Sequence, residues 1–313
     1  MKKDLVSIVD LTKDEIHHLF ARSHQLKLDV AKQGRLAILN GRVMTLLFEK
    51  PSLRTRVTFE TGMVQLGGAA IYLAPGDIGL GKRETVPDVA QNLSRWVHII
   101  VARTFAHETV KGLAENASVP VVNALCNLEH PCQALADFLT ILEHRRKLEG
   151  AVLAWVGDGN NVCHSLMLGA ALLGVHLKVI TPGGYEPRAH YVELAAKLAA
   201  ASGARIEYFC DPVPGVKDAE FVYTDVWASM GDEAQAAERK KVFAPYQVNA
   251  TLMKCAAKGA KFMHCLPAHR GDEVTAEVID GPSSIVLDEA ENRLHIQRAI
   301  VAELVERNLK QGG

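Results

Sequence analysis

The stretch VMTLLFEKPSLRTRVTFE, residues 43–60, passes from six mostly apolar, β-forming residues through a polar turn into helical spacing. A short apolar run closed by such a break reads as a buried strand. Pro51 punctuates the turn, and Ser52 is a suitable N-cap for a helix entered at Leu53 or Arg54. Val57, Met63 and Leu66 are its expected core positions. Arg54 and Arg56 then sit at a helix N-terminus, where the dipole is already positive and a cation is unfavourable. That charge needs a reason. The bland one is a capped surface helix with two solvated arginines. The sharper one is an anion site, where backbone N–H groups, the hydroxyls of Ser52 and Thr55 and guanidinium forks converge on a phosphate.

The same alternation runs outward in both directions. RVMTLLF, AAIYLA, VHIIVAR, VPVVNAL, AVLAWVG, HLKVIT, ARIEYFC, EFVYTDV, KFMHCL and SIVL read as strands, with helix-length segments between most of them. After His130, for example, Leu135, Phe138, Leu139 and Leu142 recur at spacings of three and four. This rhythm predicts an α/β chain with doubly wound, mostly parallel sheets flanked by helices. At 313 residues, two domains are favoured over one. In EHRRKLEGAVLAWVGDG a helix ends at Lys147–Gly150 and a new strand opens at Ala151. The expected organisation is a first domain at 1–148 and a second at 149–290, joined by helices. A C-terminal helix at 291–313 is expected to pack back on the first domain.

Composition narrows the class. Hydrophobic residues make up 48% and the formal net charge is −1, which speaks against disorder, nucleic acid and anionic membrane surfaces as partners. The N-terminal MKKDLVSIVDLTKDE lacks the apolar core of a signal peptide, and no window approaches a spanning helix. The six cysteines form no CxxC pair and no Cys/His grid, so reduced thiols, a cytoplasmic location and no metal are expected.

Four more segments carry candidate chemistry. In NLEHPCQALAD, His130 ends a strand-like run, Pro131 suits the first helical position, and Gln133 offers a donor and an acceptor. Alone, His130 reads sooner as a structural histidine than as a catalytic one. WVGDGNNVCHS opens like a dinucleotide fold but has Val162 where a third glycine belongs, so it reads as a tight turn presenting Asn160 and Asn161. TDVWASMGDE places Asp225 at a strand end, where it either caps a turn or binds an ammonium. FMHCLPAHRG places Cys265 at another strand end. There, metal binding is disfavoured because adjacent strand residues such as His264 and Cys265 face opposite sides.

Together, SLRTR at 52–56, HPCQ at 130–133, DVWASMG at 225–231 and HCLP at 264–267 resemble the aspartate/ornithine carbamoyltransferase family over essentially the whole chain. The resemblance implies a carbamoyl-phosphate site of Ser52, Leu53, Arg54, Thr55, Arg103, His130, Gln133, Cys265, Leu266 and Arg293. It implies an L-ornithine site of Asn161, Asp225, Ser229 and Met230, with Arg103, His130, Asp225 and Cys265 catalytic. It also implies no cofactor, a homotrimer and a place in arginine biosynthesis. Two positions depart from the pattern: Leu53 replaces a threonine, and Gly79 stands where family members often carry glutamine or histidine. Rival readings are an acceptor such as putrescine, an N-acylornithine or aspartate, and a non-catalytic anion-binding relative.

Overall fold

Val43–Phe48 forms strand β1, and the turn after it enters a helix at Leu53 that runs to Gln65. Ser52 caps that helix, its Oγ accepting from the Thr55 amide at 3.4 Å. The structure is a computed structural model describing residues 1–81, 83–228 and 235–311. β1 lies between β2 (Ala69–Leu73) and β3 (Ile99–Arg103), and β4 (Val121–Leu125) lies beyond β3; every pairing is parallel. The second sheet centres on β5 (Val152–Val156). To one side lie β6 (His176–Ile180) and β7 (Ile206–Phe209), and to the other β8 (Phe221–Thr224) and β9 (Lys261–His264), again all parallel. The chain therefore holds two doubly wound parallel sheets flanked by helices.

The chain divides into one compact unit of Met1–Ala136 with Asn292–Gly313 and a second of Asp137–Glu291. It crosses from one unit to the other inside helices Pro131–Arg145 and Val286–Gln311. In the first unit, Leu47, Ile100, Ala102 and Val121 from the strands pack on Val89, Leu93, Val110 and Leu113 from helices. In the second, Ala154, Val156, Ile180, Val222 and Phe262 pack on Val216, Val248 and Val278. Covered on both faces, the central strands need near-continuous apolar runs, which is why they read so plainly in the sequence.

Two expectations are corrected. SIVL is no strand: Ser284 makes a single parallel bridge to Phe262, and Val286 already begins the C-terminal helix. Its apolar residues belong to helical spacing, with Val286 buried and Leu287 exposed. Val57 is exposed, whereas Phe59 and Met63 are buried. Two residues turn a helix by about 200°, so the face that buries Phe59 turns Val57 outward.

Candidate active site

In an open parallel sheet, ligands bind beyond the carboxyl ends of strands where the winding reverses. In the first unit that point lies between β1 and β3. The SLRTR helix follows β1, Arg103 closes β3, and His130 follows β4. Arg293 Nη2 donates to Thr55 Oγ1 at 2.8 Å, and Ser52 Oγ donates to the same oxygen at 3.1 Å. Thr55 is fully buried, and accepting from both neighbours leaves its hydroxyl as a donor. Arg54 is half-buried at the same helix start. Leu53 is 74% exposed, so its backbone N–H is what it can bring to an anion. Arg56 is turned to another use: its guanidinium lies 3.9 Å from the Tyr72 ring centroid and pairs with Glu60 at 3.0 Å.

His130 and Gln133 are buried, and the His130 carbonyl accepts from the Gln133 amide at 3.0 Å. Burial first, then the charges of Arg293 and Arg103, hold the His130 imidazole well below the usual histidine range. It is a neutral ring at pH 7, able to donate to a carbonyl oxygen. Gly79 has φ +65°, and a Cβ there would crowd Arg83 Cβ at 3.1 Å. A glutamine or histidine at that position would be strained, so the departure from the family pattern is tied to the turn this loop makes. Gly79 also lines a cavity of about 210 Å³ with Phe48, Glu49, Pro75 and Phe105.

In the second unit the winding reverses between β5 and β8. GDGNN follows β5, Asp225 follows β8, and Cys265 follows β9. Gly159 is required: a Cβ would collide with the Glu186–Pro187 backbone. Asn160 caps the next helix through its Oδ1, which accepts from Val162 N at 3.0 Å and Cys163 N at 3.1 Å. Its Nδ2 donates to Asp225 Oδ2 at 2.9 Å. Cys265 Sγ donates to Asp225 Oδ1 at 3.0 Å. The sequence reading has the turn present both asparagines, and the family resemblance assigns only Asn161, whose Oδ1 lies 3.0 Å from the adjacent Val162 amide, to ornithine. The signal for Asn160 was its N-cap position one residue before the helix.

The second unit also holds two groups absent from the sequence-predicted set. Arg239, buried, pairs with Asp158 of the GDGNN turn and donates to the carbonyl of Trp227 in DVWASMG, with the rings of Tyr185 and Phe243 against its guanidinium. His264 Nδ1 accepts from the Leu266 amide at 2.8 Å, so the ring hydrogen belongs on Nε2, which faces Glu273 at 3.2 Å. The alternation argument against a metal does not hold, because β9 ends at His264. Ligand atoms of Asp225, His264 and Cys265 come within 4.8 Å of one another. Both imidazole nitrogens are already committed, however, so the trio reads as a hydrogen-bonded cluster. Ser229 and Met230 lie outside the described residues.

Cys265 is half-buried, with its thiol enclosed. Burial and then the adjacent Asp225 push that thiol well above the usual cysteine range. In this protonated form Cys265 is a donor to Asp225.

The first unit thus gathers a buried imidazole, guanidiniums and a capped helix start, and the second an Asn–Asp–Cys set. Residues 3–143 match the family model described as the carbamoyl-P binding domain of aspartate/ornithine carbamoyltransferase, and residues 149–304 match its Asp/Orn binding domain. An ornithine carbamoyltransferase of Pyrococcus horikoshii is 50% identical over 305 residues, spanning 97% of this chain and 96% of the relative. One of Bacillus subtilis is 48% identical over 303 residues, spanning 97% and 94%. The solved structure of the Pyrococcus furiosus ornithine carbamoyltransferase superposes with a TM-score of 0.92 at 49% identity, covering 96% of each chain. The protein is an enzyme of the carbamoyltransferase class. The chain belongs to the aspartate/ornithine carbamoyltransferase family.

Proposed function

We propose that the enzyme transfers the carbamoyl group of carbamoyl phosphate to the δ-amine of L-ornithine, giving L-citrulline and phosphate. The observation that carries the reading is the neutral His130 held under the charges of Arg103 and Arg293. An imidazole kept neutral can donate to the carbamoyl oxygen, while guanidiniums take the charge that develops on it and on the leaving phosphate. Ser52, the Leu53 amide, Arg54 and Thr55 hold the phosphate, and Gln133 contacts the carbamoyl amide. Cys265 and Leu266 join them by family resemblance. Asn161, Asp225, Ser229 and Met230 take the amino-acid end of ornithine, with Asn160 and Cys265 orienting the Asp225 carboxylate.

The C–N bond forms as the C–O bond to phosphate breaks. The obstacle is the amine: with a lysine-like pKa of about 10.4 it is neutral roughly once in 2,500 at pH 7, a deficit of about 4.6 kcal/mol. Enclosure beside cationic groups lowers that cost, and positioning supplies most of the remainder.

The test is citrulline formation by purified protein with EDTA present, with putrescine, N-acetylornithine and aspartate as parallel acceptors. Metal-free turnover confined to ornithine is expected. Turnover with another acceptor would overturn the Asp225 assignment, and none from folded protein would overturn the activity.

We also propose that the enzyme is a homotrimer working in the cytoplasm in arginine biosynthesis. Leu53, Val57, Val64, Ile71 and Trp96 leave large apolar side chains exposed on the first unit, which supports self-association. The six free thiols suit a reducing compartment. A relative from Pyrococcus furiosus carries "anabolic" in its name, which supports the biosynthetic role. Light scattering at the mass of three chains is the expected result; a monomer would overturn the assembly.

A further inference from the structure

Behind the Asp225–Cys265 pair lies a second carboxyl group that the reaction as described does not use. Glu289, in the first turn of the C-terminal helix, is 1% exposed, and Asp137 of helix Pro131–Arg145 is fully buried. Glu289 Oε2 accepts from the His264 backbone amide at 3.0 Å, and Oε1 accepts from the Tyr223 hydroxyl at 3.0 Å. The Asp137 side chain is hydrogen-bonded to Glu289 as well.

Two carboxyl groups hydrogen-bond to each other when one of them keeps a proton, since two carboxylates offer acceptors alone. Two buried like charges in contact also resist joint ionisation. The partners decide where the proton resides. Amide and phenol both donate to Glu289, which casts it as the acceptor throughout and leaves Asp137 as the donor. Burial raises the Glu289 carboxyl against these hydrogen bonds, in keeping with one proton held in common. Asp225 bears on Tyr223 and Cys265 from a neighbouring strand end, and the imidazole of His264 bears on Glu289.

The anchored amide belongs to His264, and the next residue is Cys265, whose thiol donates to Asp225. Glu289 therefore fixes the end of β9 from behind, on the residue before the thiol. We propose that Asp137 stands as a neutral aspartic acid at neutral pH, and that its proton holds Glu289 as a positioning residue for the His264–Cys265 step facing Asp225. Its kinetic consequence rests on the ornithine reading given above; the proton itself does not.

The test uses infrared difference spectroscopy on the full-length enzyme, comparing wild type with Asp137→Asn and Glu289→Gln at pH 7. In either amide variant an N–H replaces the shared O–H, so the pair needs no proton. A protonated-carboxyl carbonyl band present in wild type and lost in both variants is expected. Its absence from wild type, or its persistence in both variants, would overturn the proposal. The kinetic arm adds Glu289→Ala, with folding checked by circular dichroism. The KM for ornithine should rise about tenfold, the loss of one hydrogen-bond equivalent, with that for carbamoyl phosphate little changed and with rescue in Glu289→Gln. An unmoved ornithine KM would overturn the positioning role. If wild type itself fails to turn over ornithine, the infrared arm still decides the proton, so the two failures stay distinct.

Discussion

The thiol of Cys265 donates to the carboxylate of Asp225 across 3.0 Å, joining the ends of β9 and β8. Burial and the adjacent carboxylate both keep that thiol protonated. Replacing it with alanine leaves Asp225 Oδ1 with the Val226 amide at 2.8 Å but removes one hydrogen bond to a charged group, worth about 1.5–3 kcal/mol. Cys265→Ala should therefore raise the ornithine KM by roughly tenfold or more. Cys265→Ser keeps an O–H donor and should lose much less. Equal kinetics in the two variants would mean that the donor is irrelevant. Alkylation followed by mass spectrometry provides a second check, because a thiol with so few thiolates should react slowly at pH 8.

The two arginines of SLRTR should behave differently. Arg54 is half-buried at the helix start beside the Ser52–Thr55–Arg293 set, whereas Arg56 is held by Tyr72 and Glu60. A charge-assisted hydrogen bond is worth about 1.5–3 kcal/mol. Arg54→Ala should thus weaken carbamoyl-phosphate binding roughly tenfold to 150-fold and depress turnover. Arg56→Ala loses an exposed ion pair and a ring contact, and should cost no more than about 1 kcal/mol of stability with kinetics near wild type. Calorimetric titration with a carbamoyl-phosphate analogue separates the two, and near-normal affinity in Arg54→Ala would sink the anion-site assignment.

Arg239 ties Asp158 of the GDGNN turn to the Trp227 carbonyl, linking two of the segments assigned to ornithine. Removing one partner of a buried ion pair leaves the other uncompensated, at a cost of about 3–5 kcal/mol. Arg239→Ala should therefore lower the melting temperature and raise the ornithine KM while sparing that for carbamoyl phosphate. Arg239→Lys keeps the charge but loses the planar fork, and should fall between. Equal increases in both KM values would argue against a clamp specific to the ornithine side.

Much of this was legible in the sequence, for identifiable reasons. A parallel sheet covered on both faces demands continuous apolar strands, so nine of the ten strand-like runs reappear as β1 to β9. SIVL misled because a four-residue apolar run fits a strand and a helix start equally well. His130, Asp225 and Cys265 were visible as polar residues at strand ends. What stayed hidden depends on contacts distant in sequence. Asn160 reaches Asp225 from its cap position, Tyr72 draws Arg56 away, and Asp137 meets Glu289 from a helix more than a hundred residues earlier. A lone aspartate within the apolar stretch ALADFL was the one local hint of that last pair.

Acid stability follows from His130. Its folded pKa is depressed, chiefly by burial and then by Arg293 and Arg103. Below the unfolded value of about 6.5 the unfolded chain takes up a proton that the native ring refuses, so stability falls as pH drops and is fully present above that value. The slope from this one group approaches about 1.4 kcal/mol per pH unit between that value and the much lower folded one. His98, His107 and His176 are shifted in the same direction and add to it. Thermal melts from pH 7.5 to 5.5 should show a falling transition in wild type and a shallower fall in His130→Asn, whose amide does not titrate. Parallel slopes would mean that His130 accepts its proton inside the folded protein, and the neutral donor assigned to it would have to be abandoned.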